Sequence, residues 1–453
     1  MSAAADLVAR LESPVPAALP AGVASAVFCY GTCFHRSERI QTLELVADGV
    51  PHRAAATAMA RPDVAGIPRR SGFWGTVPVT ARGDAVVLEL AVRLHGGEAL
   101  RAPLARMPVA APVPAPTAAG APIAVCMATY EPQPELFARQ VASLRAQTET
   151  DWVCVISDDA SSAAAFARIG AEVAGDERFT VSRAPRRLGF YRNFERALAL
   201  APAGAELIAL CDQDDVWHPD KLATLRAALG GAGMVYSDQR LVDAGGRVLR
   251  DTLWRGRRNN HADLVSLLVA NSVTGAAVLM RRDLAALALP FPDTPGLQFH
   301  DHWLGLVALA AGEVAYVDRP LYDYVQHAGA VFGDVTASGR RGRRGGGRGA
   351  YLLGYQARAV AAEVLLARAG DRMAPAKRRG LRRFLAADRK LGALAWLALR
   401  TARTRGTTLG SELALVRGLL WRRSAARLGR DASFPPPLAF EQRRLRDWRA
   451  RIR

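Results

Sequence analysis

Glu206-Leu-Ile-Ala-Leu-Cys-Asp-Gln-Asp-Asp-Val-Trp-His-Pro219 is the stretch that decides the fold. Its apolar run ends at Cys211, is too short for a helix, and reads as a buried strand. Asp212, Asp214 and Asp215 therefore stand where that strand emerges at its carboxyl end. Three carboxylates within four residues repel one another, and the nearest basic residue in sequence is Lys221. A divalent cation held against a phosphorylated ligand would relieve that repulsion. The same residues also fit a solvated, acidic start to a helix, because Pro219 and Asp220 signal one.

Upstream, strand and helix patterns alternate. Residues 123–127, 152–157 and 179–182 read as strands, and 135–147, 163–174 and 192–201 carry helical spacing. Such alternation predicts a mostly parallel sheet covered on both faces, with ligands bound at the carboxyl ends of its strands. The polar clusters fall there. Ala128-Thr-Tyr-Glu-Pro132 follows the first strand and Ser157-Asp-Asp-Ala-Ser-Ser162 the second. A threonine and an aromatic ring can hydrogen-bond to and stack on a nucleobase, while carboxylates can hold base N–H or ribose hydroxyl groups. Each loop is equally readable as a turn or helix cap.

Seven pieces occur in a fixed order. They are Met127-Ala-Thr-Tyr130, Ser157-Asp-Asp-Ala-Ser161, Leu188-Gly-Phe-Tyr-Arg-Asn-Phe194, Cys211-Asp-Gln-Asp-Asp-Val-Trp217, Asn271-Ser-Val-Thr-Gly275, His300-Asp-His-Trp303 and Leu321-Tyr-Asp-Tyr-Val-Gln-His327. In this order they make residues 123–333 resemble the family 2 glycosyltransferases. These have the GT-A nucleotide-sugar fold, and the resemblance is closest to rhamnosyltransferase-like bacterial enzymes of cell-surface polysaccharide.

The resemblance implies roles. Thr129, Tyr130 and Glu131 would line the base and ribose, and Asp158 or Asp159 would bind the base or sugar edge. Arg187, Arg192 and Asn193 would reach the nucleotide or its diphosphate, to which a guanidinium makes charge-assisted bonds. Asp212 and Asp214 match the family's DXD pair, with Asp215 extending it. One carboxylate would face the ribose, and the others would hold Mg²⁺ or Mn²⁺ against the phosphates of a nucleotide-diphosphate sugar. His327 would complete the metal shell, in a segment reading Tyr324-Val-Gln-His327 where family members commonly carry Tyr-Arg-Gln-His. Asp301 matches the catalytic base, which takes the acceptor proton during an inverting transfer. Its structural alternative is an N-cap for the helix at 303–311. His302 and Trp303 would stand on the acceptor side, Trp303 offering a stacking surface or filling the core. A strand-end Asp-x-Asp also serves phosphatases of the haloacid dehalogenase type. That class places its nucleophile after the first strand of the domain, whereas here the motif follows about the fourth.

Residues 1–107 read as a small β-sandwich, and 108–122 as a Pro/Ala linker. Residues 123–333 form the expected transferase domain, and 334–453 an Arg-rich helical region. The chain's formal charge of +18 is uneven: residues 334–453 hold 29 Lys and Arg against 8 Asp and Glu. This region suggests an anionic membrane surface, with lipid-linked glycan as the implied acceptor, or plain packing over the enzyme. No nucleic-acid recognition module is apparent, and a non-enzymatic polyanion scaffold would rest on this region alone. No apolar run is long enough to span a bilayer, and Met1-Ser-Ala-Ala-Ala-Asp6 lacks the pattern of a secretory signal. Five scattered cysteines suit reduced thiols, so a cytoplasmic protein, peripheral at the inner membrane face, is expected.

Overall fold

The computed structural model describes residues 3–61, 66–111, 122–254, 259–294, 299–327, 347–403 and 409–427. Most of the expected linker, and the basic run at 340–346, lie outside the described residues.

The N-terminal part pairs its strands in two sheets. β1 (Leu7–Leu11), β3 (Ala24–His35), β7 (Arg70–Thr80) and β6 (Ala56–Ala60) form one, in the order β1-β3-β7-β6. β2 (Leu19–Pro20), β9 (Ala99–Ala110), β8 (Ala85–Leu94), β4 (Ile40–Ala47) and β5 (Val50–Arg53) form the other, in that spatial order. Alternation along a strand sends successive side chains to opposite faces. Val27, Cys29 and Phe73 thus enter the sandwich core with Leu45, Leu88 and Leu90, while Phe28, Tyr30 and Trp74 join the large central core instead. That two-sided burial explains why β3 reads as a nearly continuous apolar run.

The central sheet contains β10 (Ile123–Thr129), β11 (Trp152–Asp158), β12 (Phe179–Arg183), β13 (Leu207–Cys211), β14 (Val216–Trp217), β15 (Met234–Asp243), β16 (Val248–Arg250), β17 (Val278–Arg281) and β18 (Val314–Gln326). Its order is β12-β11-β10-β13-β17-β15-β18-β14, with β16 paired to β15. β10 to β13 are mutually parallel, as are β15 and β18. Antiparallel pairing enters with β17, β14 and β16. The helices α1 (Pro134–Arg145), α2 (Ala163–Val173), α3 (Phe190–Ala199), α4 (Lys221–Leu229), α5 (Leu264–Val269), α6 (Arg282–Ala288) and α7 (His300–Ala311) are interleaved with these strands. The region is a mixed α/β domain with a mostly parallel sheet.

Four helices follow: α8 (Gln356–Ala369, led by a π-helical turn at Ala350–Tyr355), α9 (Pro375–Ala386), α10 (Leu391–Arg403) and α11 (Leu409–Arg427). Between α9 and α10 the chain turns with Ala387 buried and Asp388 accepting a hydrogen bond from the Tyr351 hydroxyl at 3.4 Å. The described part of the Arg-rich region is packed against both preceding parts. Trp74 Nε1 donates to the Tyr351 hydroxyl at 3.1 Å, and Tyr351 and Tyr355 stack on each other and meet Trp74 edge-on.

Several basic side chains of this region dock on helix carboxyl ends. Arg358 donates to Val269 O at the end of α5, and Arg368 Nη1 to Ala288 O at the end of α6 at 2.8 Å. Lys377 Nζ donates to Leu309 O and Gly312 O at the end of α7. Cations at these positions satisfy orphan carbonyl groups and complement the helix dipole. Part of the region's basicity therefore has an intramolecular partner.

Candidate active site

Three loops meet where β10, β11 and β13 end. Thr129 Oγ1 donates to Asp158 Oδ1 at 3.2 Å, and Ser161 donates to both oxygens of Asp158. Glu131 and Ala160 adopt positive φ values of 43° and 57°, a conformation costly for side-chain-bearing residues. The Glu131 loop is held by its N–H to Ser161 Oγ at 2.9 Å, and its carboxylate accepts from the Ser162 N–H at 2.5 Å. Asp159 accepts from the backbone N–H groups of Leu188 and Gly189, fixing the turn that starts α3. Gly189 has φ 84°, so the turn favours glycine.

The acidic cluster follows β13 directly. Gln213, which the sequence reading passes over, clamps the first loop: its Oε1 accepts from Tyr130 N at 2.8 Å and its Nε2 donates to Tyr130 O at 3.2 Å. Tyr130 keeps an exposed ring, with the Arg187 guanidinium 3.9 Å from its centroid. Asp214 Oδ2 lies 2.8 Å from His327 Nε2, and Gln133 Nε2 donates to His327 Nδ1 at 3.1 Å. That second bond leaves the Nε2 proton to Asp214. Asp215 is fully buried: Oδ1 accepts from Val325 N at 3.2 Å, while Oδ2 has no partner among the described residues. Burial, together with the charges of Asp214 and Asp301, pushes the Asp212 carboxyl up, and burial pushes Asp215 well up.

Lys221 is the buried counter-charge. Its ammonium sits 3.4 Å from the Trp217 ring centroid and 4.5 Å from that of Tyr322, and it donates to Ala276 O. Burial pulls its pKa down to about 7 against the opposing pull of Asp215 and Asp212. The aromatic faces stabilise the cation where water is absent.

Asp301 stands in the first turn of α7, where Phe299 rather than Asp301 is the N-cap residue. Its Oδ1 accepts from Asn271 Nδ2 at 3.1 Å and from His302 N at 2.6 Å. Asn271 also closes its own loop on Val273. Burial raises the Asp301 carboxyl to about 6. His300 stacks on Phe194 with centroids 3.7 Å apart, and a Cβ on Gly275 would lie 2.4 Å from its Nε2. Glycine is thus required for the Asn271–Gly275 loop to pass this ring. A cavity of about 390 Å³ adjoins this corner, lined by Tyr191, Asn271, Phe299, His302, Trp303 and Arg358 among others.

Several of the expected site residues make contacts within the protein. Asp158 and Asp159 are buried with their oxygens committed to loop groups, so they position the loops. Arg192 pairs with Glu195 and Asp293 and donates to Phe291 O, away from the strand ends. Asn193 is buried and ties Thr129 O to Ser157 O. Asp215 gives one oxygen to Val325 N while its other carries no hydrogen bond among the described residues. His302 lies 2.7 Å from Leu267 O through Nε2, and burial pulls its pKa down to about 4, so it is a neutral donor. Trp303 is mostly core, its indole N–H donating to Ala288 O at 2.9 Å. Motif spacing locates loops, but it does not tell which way a polar side chain turns within them.

Among the described residues, no three His, Cys, Asp or Glu side chains are gathered to hold an ion by themselves. The Asp214–His327 pair and the Asp212 carboxylate, which has no hydrogen-bond partner among the described residues, nonetheless suit a cation whose remaining ligands come from a diphosphate. Mg²⁺ in particular is commonly bound by one or two carboxylates plus substrate phosphates.

Residues 124–286 match the family described as Glycosyl transferase family 2. The succinoglycan biosynthesis protein ExoW of Rhizobium meliloti is 36% identical over 104 residues, covering 22% of this chain. The chain spans about a third (32%) of the length of that curated relative. Among solved structures, S. aureus TarS 1–349 in complex with UDP-GlcNAc aligns over 68% of this chain and 92% of its own, at 13% identity and a TM-score of 0.42. The mannosyltransferase PcManGT from Pyrobaculum calidifontis, in complex with GDP-Man and Mn²⁺, aligns over 69% and 90%, at 19% identity and a TM-score of 0.36.

Proposed function

We propose that this chain, a family 2 glycosyltransferase in its residues 124–286, is a metal-dependent inverting enzyme on a GT-A-like fold. It moves a sugar from a nucleoside-diphosphate donor to a hydroxyl of a lipid-linked glycan in bacterial cell-envelope polysaccharide synthesis. The observation that carries this reading is a division among carboxylates. Asp212 and Asp214 sit at the end of β13, with His327 against Asp214, whereas Asp301 is held separately by Asn271 in the first turn of α7.

The donor base and ribose lie along Thr129 and the exposed Tyr130 ring, with Arg187 above it near the phosphates. Asp212 and Asp214 would hold Mg²⁺ or Mn²⁺, and His327 would add a ligand through Nε2 with its proton moved to Nδ1 and the Gln133 amide turned over to accept it. The ion, when bound, neutralises charge on the departing nucleoside diphosphate. Asp301 accepts the proton of the acceptor hydroxyl as its oxygen attacks the anomeric carbon. A carboxyl raised to about 6 is still ionised at neutral pH and is a stronger base than an ordinary aspartate. Asn271 orients the carboxyl by donating to its Oδ1. The cavity beside Asn271 and His302 supports entry of the acceptor from this side.

The test begins with a thermal-shift screen of nucleotide sugars in the presence of Mn²⁺. Calorimetry of the best donor follows, on wild type and Asp214→Ala, with and without chelator. Donor affinity is expected to fall at least ten-fold with either change, the order of one lost ion-mediated contact. Equal binding in all four conditions contradicts the assigned role of the cluster.

A further inference from the structure

The described part of the Arg-rich region has a face that packs on no other described residues. α9 turns Leu381 and Phe384 into the core, and its other side carries Arg379, Arg382 and Arg383, all exposed. These three and Lys390 line an open groove with Trp396, and none makes an ion pair with a described residue. The Arg383 and Arg400 guanidinium groups lie 5.8 and 5.9 Å from the Trp396 ring centroid. Over residues 375–403 the sequence holds nine Lys and Arg against one acidic residue, the inward-turned Asp388.

α10 is apolar on both sides. Leu394 and Leu397 are buried, yet Leu391, Ala395 and Leu399, at i, i+4 and i+8, form a solvent-facing stripe. Leu391 and Leu399 are 65% and 60% exposed, the two most exposed large hydrophobic side chains among the described residues. No helix is long and apolar enough to cross a membrane.

We propose that the exposed face of α9 and α10 docks on an anionic membrane leaflet. Arg379, Arg382, Arg383 and Lys390 meet phospholipid headgroups, and Leu391, Ala395 and Leu399 enter the boundary between headgroups and acyl chains. Cations beside an apolar stripe, with an indole between them, are the chemistry of an interfacial helix. A nucleic acid would use the charges but leave the leucine stripe in water. The proposal deepens the reading of a lipid-linked acceptor and rests on that reading only for its biological sense, because vesicle binding and sugar transfer are separate readouts.

The experiment is sedimentation of the full chain with vesicles of phosphatidylcholine, with and without phosphatidylglycerol. Three proteins are compared: wild type, Arg379→Gln/Arg382→Gln/Arg383→Gln, and Leu391→Ser/Leu399→Ser. Wild type is expected to bind the phosphatidylglycerol vesicles and to leave the neutral ones. The triple variant should bind about 100-fold more weakly at low salt, from about five-fold per basic residue. The leucine variant should bind more weakly while keeping its salt dependence. Donor binding is expected to stay intact in both variants, which shows that they are folded. Failure to bind either vesicle, equal binding to both, or unchanged binding by the folded variants overturns the proposal.

Discussion

As the proposed base, Asp301 has to be buried enough to be strong yet ionised enough to act. Its carboxyl, raised to about 6 by burial, sets a direction for the pH profile. The base works as the carboxylate, so kcat/KM is expected to be level above about pH 6 and to fall about ten-fold per unit below it. Stability runs the other way. The folded state holds the proton more tightly than the unfolded chain, so the contribution of Asp301 to stability is fully present below about pH 4 and is lost as pH rises through about 6. Asp301→Asn should therefore raise Tm at pH 7.5 relative to wild type and lose that advantage near pH 4, as read by thermal unfolding at the two pH values. An unchanged Tm difference across that range would show that the burial of this charge has been misjudged. Which residues would matter at this scale was only partly legible. Asp214 and Asp301 stand out through their motifs. Gln213 and Lys221 do not, because their roles depend on a backbone clamp and an aromatic cage assembled from distant parts of the chain.

The loop Asn271–Gly275 and the helix α7 act as one unit at the scale of elements. Asn271 holds Asp301, while Gly275 lets the loop pass His300, whose ring is fixed by Phe194 of α3. Gly275→Ala places a methyl group against that ring, and overpacking of this kind costs about 1–3 kcal/mol. The expected result is a lower Tm together with reduced transfer, because Asn271 shifts with its loop; a variant with both values unchanged contradicts the linkage. The strands β10 to β13 and the helices between them were legible because their apolar runs and helical spacing are local signals. Orientation inside the loops was not. Asp158 and Asp159 at the end of β11 and Asn193 in α3 turn inward to tie neighbouring backbone together, and Arg192 is drawn off by Glu195 and Asp293. Local spacing carries no record of those distant partners.

For the whole molecule, the C-terminal helices serve as mortar between the N-terminal sandwich and the central domain. Trp74, Tyr351 and Tyr355 share one aromatic cluster, and Arg368 donates to Ala24 O as well as to Ala288 O. A chain ending at residue 333 would uncover Phe28, Tyr30, Trp74 and the packed face of α7. It is expected to aggregate on gel filtration, and a monodisperse product that still binds donor would contradict the packing role. Sequence composition signalled the basic region but not its division into carbonyl-capping cations and an outward face, since that division depends on which helix ends lie nearby. The central claim is that leaving-group and acceptor chemistry belong to separate carboxylates. Its most direct test is donor affinity and transfer rate measured together on Asp301→Asn. Donor affinity is expected to stay within about two-fold of wild type and transfer to fall about 10²–10⁴-fold, the range of one lost general base. Full transfer by Asp301→Asn, or loss of donor binding, would contradict it.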